Sequence, residues 1–514
     1  MKPLEFPFFP FVLFILSPLK FFASNTGLFD EMNVIRLLAF LLAICGVLFA
    51  VLWLVTRRRA LAAFTTALLP IIVYELRPVP IDLVGVLISA ALVGYLIRNL
   101  GLTRQAVIIA NVVSLSLLIT PLSKIAGAGV FSARSVAEPL RFGPLAELGP
   151  DAFAAGFSPP SVVHIVLDGY GGRTALIRMF GYDNAAFSDA LGALGFTVME
   201  DVSVPYNQTL LAMSAVMNAD FPPIGQPPLS EMTGDTLRAA LARTVIESAV
   251  IRGFREQGHK ITYTVTGYNF FRYPEYAQLI TTPPGVFELS QFDISFLLLR
   301  LGRWGGHLLE PAAMSAPLDR LVKSALSREI VDELHPPFFL YSHVLAPHPP
   351  FTMDRNGNPT NRWGFSLLSD GDHALGNDES LRALYREGYL EKLRYTNKAV
   401  LAQVKRIIEE IEGPLVIIIH GDHGSGSRLI QDSAERTCLM ERMRTTVAIY
   451  SNVPEISNAV ATGGIDNTIN IYRVIFAALL GREIPRTEGQ YFAKWITPSE
   501  SSSLAGAEFD RNCS

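Results

Sequence analysis

Apolar positions follow two different rhythms, and the change comes near residue 125. Before it they form long runs. Leu37 to Val55 holds nineteen residues without a charge, long enough to cross a bilayer as a helix. Phe6 to Phe22, Ala60 to Tyr74, Ile81 to Ile97 and Ala106 to Leu122 flank it, each shorter or broken by proline or one charged residue, so the pattern predicts about five membrane helices. After residue 160 short β-branched bursts alternate with helical stretches. Val162 to Leu167, Ile261 to Val265, Phe338 to His343, Leu415 to His420 and Thr446 to Tyr450 read as strands. Asp183 to Leu194, Leu237 to Gln257, Ser380 to Glu412 and Asn467 to Leu480 read as helices. Such alternation predicts an α/β domain with a mostly parallel sheet between helices. The chain thus divides into a membrane domain (1–125), a Gly-, Pro- and Ala-rich linker (126–160), a large domain (161–498) and a small-residue polar tail (499–514). Phe292 to Leu309 is crowded with apolar residues and reads either as a buried core helix or as a segment lying in the membrane interface.

Charge orients these helices. Lys2, the Arg57-Arg58-Arg59 cluster and the Arg98/Arg104 pair occupy alternate loops, which the positive-inside rule assigns to the cytoplasm. The opposite loops carry Lys20, Arg36, Arg77 and Lys124, so the bias is modest. An odd number of crossings leaves the large domain outside the cytoplasm, and reading the first segment as a signal peptide places it on the same side. With a net charge of −4 and no basic run beyond the membrane-flanking arginines, nucleic acid is excluded as a partner. Cys45 falls in a membrane helix, which leaves Cys438 and Cys513 able to pair in an oxidising compartment.

Two of the strand-like runs end in ligand chemistry. One runs into Asp168-Gly169 and the other into Asp422-His423-Gly424. A buried parallel strand delivers its last side chain to the carboxyl edge of the sheet, where open α/β folds place their ligands. Asp168, Asp422 and His423 are therefore expected around one cation, with zinc, manganese and magnesium all compatible. Thr209 stands where a polar loop (Tyr206-Asn207-Gln208) changes into an apolar helix, so its hydroxyl lies beside free N–H groups at the positive end of the helix dipole. That position suits either a helix-capping threonine or a nucleophile attacking phosphorus, and the neighbouring metal residues favour the nucleophile. His348 lies among prolines in Ala346-Pro347-His348-Pro349-Pro350, away from regular structure, and suits a substrate ligand or proton donor. His343 at a strand end is either a substrate-side group or a core histidine. His164 and His420 read as structural, and Ser214 as packing.

The stretch from about residue 160 to 450 resembles the alkaline phosphatase and sulfatase superfamily, in particular its membrane-anchored branch with lipoteichoic acid synthases and phosphoethanolamine transferases. The resemblance implies an alkaline-phosphatase-like catalytic domain behind five membrane helices. It also implies a metal cluster of Asp168, Thr209, Asp422 and His423, with Thr209 and His348 catalytic and His343, His348 and Asn207 toward substrate. Asp168 stands where those transferases usually carry glutamate. No histidine follows His423, which points to one metal rather than two. Cys438-Leu439-Met440-Glu441-Arg442 imitates part of the motif from which sulfatases make formylglycine, but it lacks the proline and lies after the Asp-His pair.

The expected activity is transfer of a phospholipid head group through a phospho-threonine to an envelope glycan or other hydroxyl acceptor. The enzyme would sit in the bacterial cytoplasmic membrane with its catalytic domain in the periplasm or outside. A hydrolase of phosphodiesters or sulfate esters on the same site is the nearest alternative. A non-catalytic membrane assembly or binding protein is the other.

Overall fold

The computed structural model describes residues 5–24, 31–75, 104–127, 140–149, 152–154, 158–232, 234–266, 271–281, 311–360, 370–431, 433–487, 492–493, 502–503 and 512–513. It has two compact units, one of Met1–Val136 with Ser290–Leu308, the other of Ala137–Leu289 with Leu309–Ser514. The fourth predicted membrane segment, Ile81 to Ile97, and the ambiguous stretch Phe292 to Leu309 lie outside the described residues.

In the first unit the described helices are Phe9–Ala23, Glu31–Thr56, Arg59–Glu75 and Arg104–Gly127. Two are long and apolar enough to cross a membrane among the described residues, Met32–Thr56 and Arg104–Gly127. They fall on the second and fifth of the expected segments. Phe9–Ala23 has 15 residues, and Arg59–Glu75, which runs up to the last residue described there, has 17. Asn111, buried in an otherwise apolar helix, joins the packed pieces. Its Oδ1 accepts from the N–H groups of Phe8 (3.2 Å) and Phe9 (3.0 Å), and its Nδ2 donates to Phe6 O at 2.8 Å. These are free groups at the start of the Phe9 helix, costly to leave unpaired in an apolar setting.

The second unit is built on a seven-stranded sheet: β1 (Ser161–Leu167), β2 (Thr197–Ser203), β3 (Lys260–Thr264), β4 (Gln278–Ile280), β5 (Phe338–Val344), β6 (Leu415–Gly421) and β7 (Arg444–Ser451). Their spatial order is β2-β7-β6-β1-β5-β3-β4. β6, β1, β5, β3 and β4 run parallel, and β7 and β2 close one side antiparallel. Buried on both faces, the central strands alternate between two cores. Val162 and Val166 of β1, with Val416, Ile418, Phe339 and Tyr341, pack against the Thr209–Asn218 helix and its neighbours. Val163, Ile165 and Leu167, with Ile417, Ile419 and Leu340, pack against Tyr389, Leu393, Val400 and Val404 of the long Glu379–Glu410 helix. At roughly 1.5–3 kcal/mol per fully buried aliphatic side chain, these two layers hold the strand register. This is the α/β fold with a mostly parallel sheet between helices expected from the sequence.

Three details depart from expectation for local reasons. The Thr446 to Tyr450 run belongs to an antiparallel strand, and its partner β2 was not foreseen because Glu200 and Asp201 interrupt its apolar pattern. Asp201 has φ +57° at a register shift between Met199 and Val202. Its carboxylate caps the Arg173–Phe180 helix, accepting from Thr174 N at 2.9 Å and Thr174 Oγ1 at 2.6 Å. The predicted Leu237 to Gln257 helix is two, Gly234–Ile246 and Ala249–Glu256. It breaks because Ser248 Oγ caps the second by accepting from Ile251 N at 3.2 Å, while Asn218 Oδ1 accepts from Ala249 N at 2.9 Å.

Cys438 and Cys513 form a disulfide with Cα atoms 4.8 Å apart across 75 residues of chain. Replacing Cys513 with serine removes that closure and is expected to cost about 2–4 kcal/mol, seen as a thermal midpoint lowered by several degrees against the wild type.

Candidate metal centre

The centre is set by the parity of the three middle strands. Val166 is in register with His343 of β5 and His420 of β6, so all three side chains leave the same face. Two residues further on, Asp168 and Asp422 return to that face just beyond the strand ends. Asp168 N donates to Val344 O at 2.9 Å, which extends the ladder far enough to hold the carboxylate in place.

One ligand atom from each of Asp168, His343 and Asp422 lies within 4.8 Å of the others, all buried. His343 Nε2 is 3.5 Å from Asp168 Oδ2. His423 Nε2 stands 3.3 Å from Asp422 Oδ2 and 3.9 Å from Asp168 Oδ1, and Thr209 Oγ1 lies 3.2 Å from the same nitrogen. Asp168, Thr209, Asp422 and His423, expected to share a site, thus lie within a few ångströms of one another. His343, placed toward substrate in the sequence reading, joins the carboxylates as a ligand-type group. Thr209 is the first residue of its helix rather than its cap. Gln208 holds the cap position without a side-chain bond, so the threonine hydroxyl is turned to His423 instead.

The donors fit a divalent cation. Asp422 Oδ1 accepts from Gly169 N (3.0 Å) and His423 N (2.9 Å), but its Oδ2 is buried with no hydrogen-bond partner among the described residues. Such an oxygen is costly unless a cation faces it. His423 Nδ1 donates to Gly424 O at 2.9 Å, which leaves the Nε2 lone pair toward the carboxylates. Two carboxylates with imidazole nitrogens suit zinc and equally admit manganese or magnesium. Burial and the nearby Arg442 charge lower the His423 pKa, against Asp422 and Asp168, and so favour the neutral ligand form. Burial opposes ionisation of Asp168, yet His348, His343 and His423 hold its carboxyl below the ordinary range.

His348 sits over the centre. Its N–H donates to Asp168 O at 2.9 Å and its Nδ1 to Pro349 O at 2.7 Å, leaving Nε2 for other work. Lys392 holds this loop, its Nζ donating to Leu345 O (2.7 Å), His348 O (2.7 Å) and Pro350 O (3.2 Å). Burial pulls Lys392 down to about 8, against the opposing pull of Asp319 and Asp168. Asn207, also expected near substrate, is buried two residues before Thr209, its Oδ1 without a hydrogen-bond partner among the described residues.

Sequence reasoning missed several groups here. The Cys438-to-Arg442 segment, set aside as an imitation of a sulfatase motif, forms the short Leu439–Arg442 helix packed directly on the metal loop. Gly424 N donates to Arg442 O at 2.9 Å, and a Cβ at Gly424 would stand 1.8 Å from Glu441 O, so only glycine fits. The Glu441 carboxylate accepts from Ser425 Oγ (2.5 Å), Ser427 N (2.7 Å) and Arg428 N (2.9 Å), bracing the loop beyond His423. Arg442 donates from Nε to Asn207 O (3.0 Å), from Nη1 to Asp370 Oδ2 and Gly424 O (both 3.1 Å), and from Nη2 to His423 Nε2 (3.1 Å). Lys392 carried a usable signal, being a cation on the apolar stripe of Tyr389, Leu393, Thr396 and Val400. Arg442 and Asp370 carried none, because their meeting depends on tertiary structure.

His164 and His420 have the structural role expected of them. Tyr472 Oη lies 2.8 Å from His164 Nδ1, His164 Nε2 lies 2.8 Å from His420 Nε2, and His420 Nδ1 donates to Gly421 O at 2.8 Å. This chain pins β1 to β6 just beneath the carboxylates. Ser214 packs inside its helix against Thr244, with the hydroxyls 2.5 Å apart.

No family model and no curated protein matches the chain. Among solved structures it is similar to the C-terminal periplasmic domain of EcEptC from Escherichia coli in complex with Zn, with 10% identity over 70% of this chain and 97% of that one, TM-score 0.41. It is also similar to the integral membrane lipooligosaccharide phosphoethanolamine transferase A (EptA) from Neisseria meningitidis, with 13% identity over 89% of this chain and 76% of that one, TM-score 0.37. A third is BT1596, a 2-O GAG sulfatase, with 12% identity over 64% of this chain and 72% of that one, TM-score 0.38. The second of these is described as a phosphoethanolamine transferase and the third as a sulfatase.

Elemental analysis of the purified chain should find one divalent ion, and His343→Ala or Asp422→Ala should each lose most of it. Because the His423 pKa lies below the ordinary 6.5, lowering the pH from about 7 to about 6 should release little metal; wholesale release over that step would contradict the assignment of His423 as a neutral ligand.

Proposed function

We propose that the chain is a metal-dependent phosphoryl-group transferase of the bacterial envelope, moving a phospholipid head group by way of Thr209 to the hydroxyl of a glycan or other acceptor. One observation supports this above the others: the Thr209 hydroxyl lies 3.2 Å from His423 Nε2, inside a buried group of two carboxylates and two imidazoles. A divalent ion held by Asp168, Asp422, His343 and His423 would ease ionisation of a hydroxyl and offset charge on the phosphoryl oxygens.

The chain's own groups supply the rest. In the first step Thr209 Oγ forms a bond to phosphorus while the bond from phosphorus to the glycerol oxygen breaks. The proton lost by the threonine passes through solvent to His348, replacing the one that His348 gives to the departing oxygen, which leaves as diacylglycerol. The free N–H groups at the start of the Thr209–Asn218 helix face the reacting phosphoryl group, where developing negative charge is favoured. In the second step the acceptor hydroxyl attacks phosphorus, the bond to Thr209 breaks, and the threonine recovers its proton. Asn207 lies toward the substrate in this reading.

The apolar helices of the first unit serve as a multi-pass anchor in the cytoplasmic membrane, with the catalytic domain in the periplasm or outside the cell. Confining enzyme and lipid donor to one surface raises their effective concentration without any new contact. The reading is tested by exposing the purified chain to membrane phospholipids and weighing the Thr209 peptide. A head-group phosphate increment on Thr209 is expected, together with loss of turnover by at least about a thousandfold in a folded Thr209→Ala variant. Full turnover in that variant would contradict the mechanism, and release of the phosphorylated head group to water when envelope glycans are supplied as acceptors would make the protein a hydrolase.

A further inference from the structure

We propose that Arg442 is the residue that receives the substrate's anionic charge, its guanidinium binding the non-bridging oxygens of the phosphoryl group that Thr209 attacks. The inference rests on the phosphoryl-transfer reading and assigns it a residue that neither the strand ends nor the threonine motif reveals.

Arg442 Nη2 and Thr209 Oγ1 contact the same atom, His423 Nε2, at 3.1 and 3.2 Å, so the guanidinium stands one contact from the attacking hydroxyl. A guanidinium has five N–H groups, and Arg442 commits three of them, to Asn207 O, Asp370 Oδ2 and Gly424 O, through Nε and Nη1. Among the described residues Nη2, the nitrogen at the centre, contacts His423 alone and has a second N–H beyond it. Once His423 turns its lone pair to a metal, both Nη2 donors are available to an oxyanion.

The guanidinium is also firmly built in. Arg442 and Asp370 each keep only 7% of their side-chain surface exposed. Asp370 is in turn held by Gly371 N at 2.9 Å and Tyr385 Oη at 3.0 Å. Burying a guanidinium is expensive, and this one is paired, fixed in rotamer and aimed before any substrate arrives. A planar fork of this kind matches two phosphoryl oxygens, which a lysine does not. The carbonyls it grips belong to the loops carrying Thr209 and His423, so the same side chain also keeps nucleophile and ligand in mutual register.

Inorganic phosphate is the probe. The metal-loaded full chain in detergent is titrated with it by calorimetry, alongside metal analysis and the Thr209 mass increment. An Arg442→Met, Asp370→Asn double variant removes both charges together and leaves no lone buried ion. Expected is a folded variant that keeps its metal but binds phosphate at least about tenfold more weakly than the wild type. Phosphate affinity within about twofold of the wild type, with metal retained, would overturn the assignment and leave Arg442 a structural pin. If the double variant does not fold, Arg442→Lys carries the test: several-fold weaker phosphate binding is expected, and unchanged binding refutes the fork. A wild-type chain that acquires no increment on Thr209 fails the transfer reading and takes this inference with it; a wild-type chain that acquires one while the variant binds phosphate normally fails this inference alone.

Discussion

Register between three buried parallel strands is the constraint on which the centre depends. β1 lies between β5 and β6, with Val166 level with His343 on one side and His420 on the other. A slip of one residue in any of these strands would turn its ligand from the shared face to the opposite core. What prevents the slip is apolar packing on both faces, supported by the Tyr472–His164–His420 chain that ties β1 to β6. The polar centre is therefore a product of the hydrophobic cores beneath it. Its carboxylates need no long loops to reach one another, because the sheet has already set their spacing.

Around that frame, most of the polar groups are buried, and each is compensated in a particular way. Lys392 is matched by three carbonyls of the loop carrying His348, Glu441 by the hydroxyl and amides beyond His423, and Arg442 by Asp370 and two loop carbonyls. Buried charges arranged this way contribute little net stability, but they fix positions, since moving any partner leaves a charge unsolvated. The loops bearing Thr209, His348 and His423 are thus held rigid by charge satisfaction. Gly424 adds a steric condition, because its backbone lies against Glu441 and Arg442 where no side chain has room. Rigid placement of this kind is what nucleophilic chemistry at phosphorus requires of its surroundings.

How much of this was legible in the chain follows from the range of the interactions. The strands that end in Asp168 and Asp422 are continuous β-branched runs, and local pattern is enough to find them. Thr209 was legible because the change from polar loop to apolar helix is local too. His343 was harder, since a histidine at a strand end looks the same whether it faces a core, a substrate or an ion; only the register with Val166 decides. Arg442, Asp370, Glu441 and Lys392 come from separate parts of the chain and gain meaning only where those parts meet. In the membrane unit the apolar runs are local too and easy to see, and Met32–Thr56 and Arg104–Gly127 fall on two of them.

X-ray absorption and anomalous diffraction at the metal edge of the loaded protein would locate the ion that Asp168, Asp422, His343 and His423 are proposed to share beside the Thr209 hydroxyl. A single ion is expected, with carboxylate oxygens and imidazole nitrogens at about 2.0–2.2 Å and the threonine oxygen adjacent. An ion bound elsewhere, or a coordination shell lacking both aspartates, would contradict that proposal.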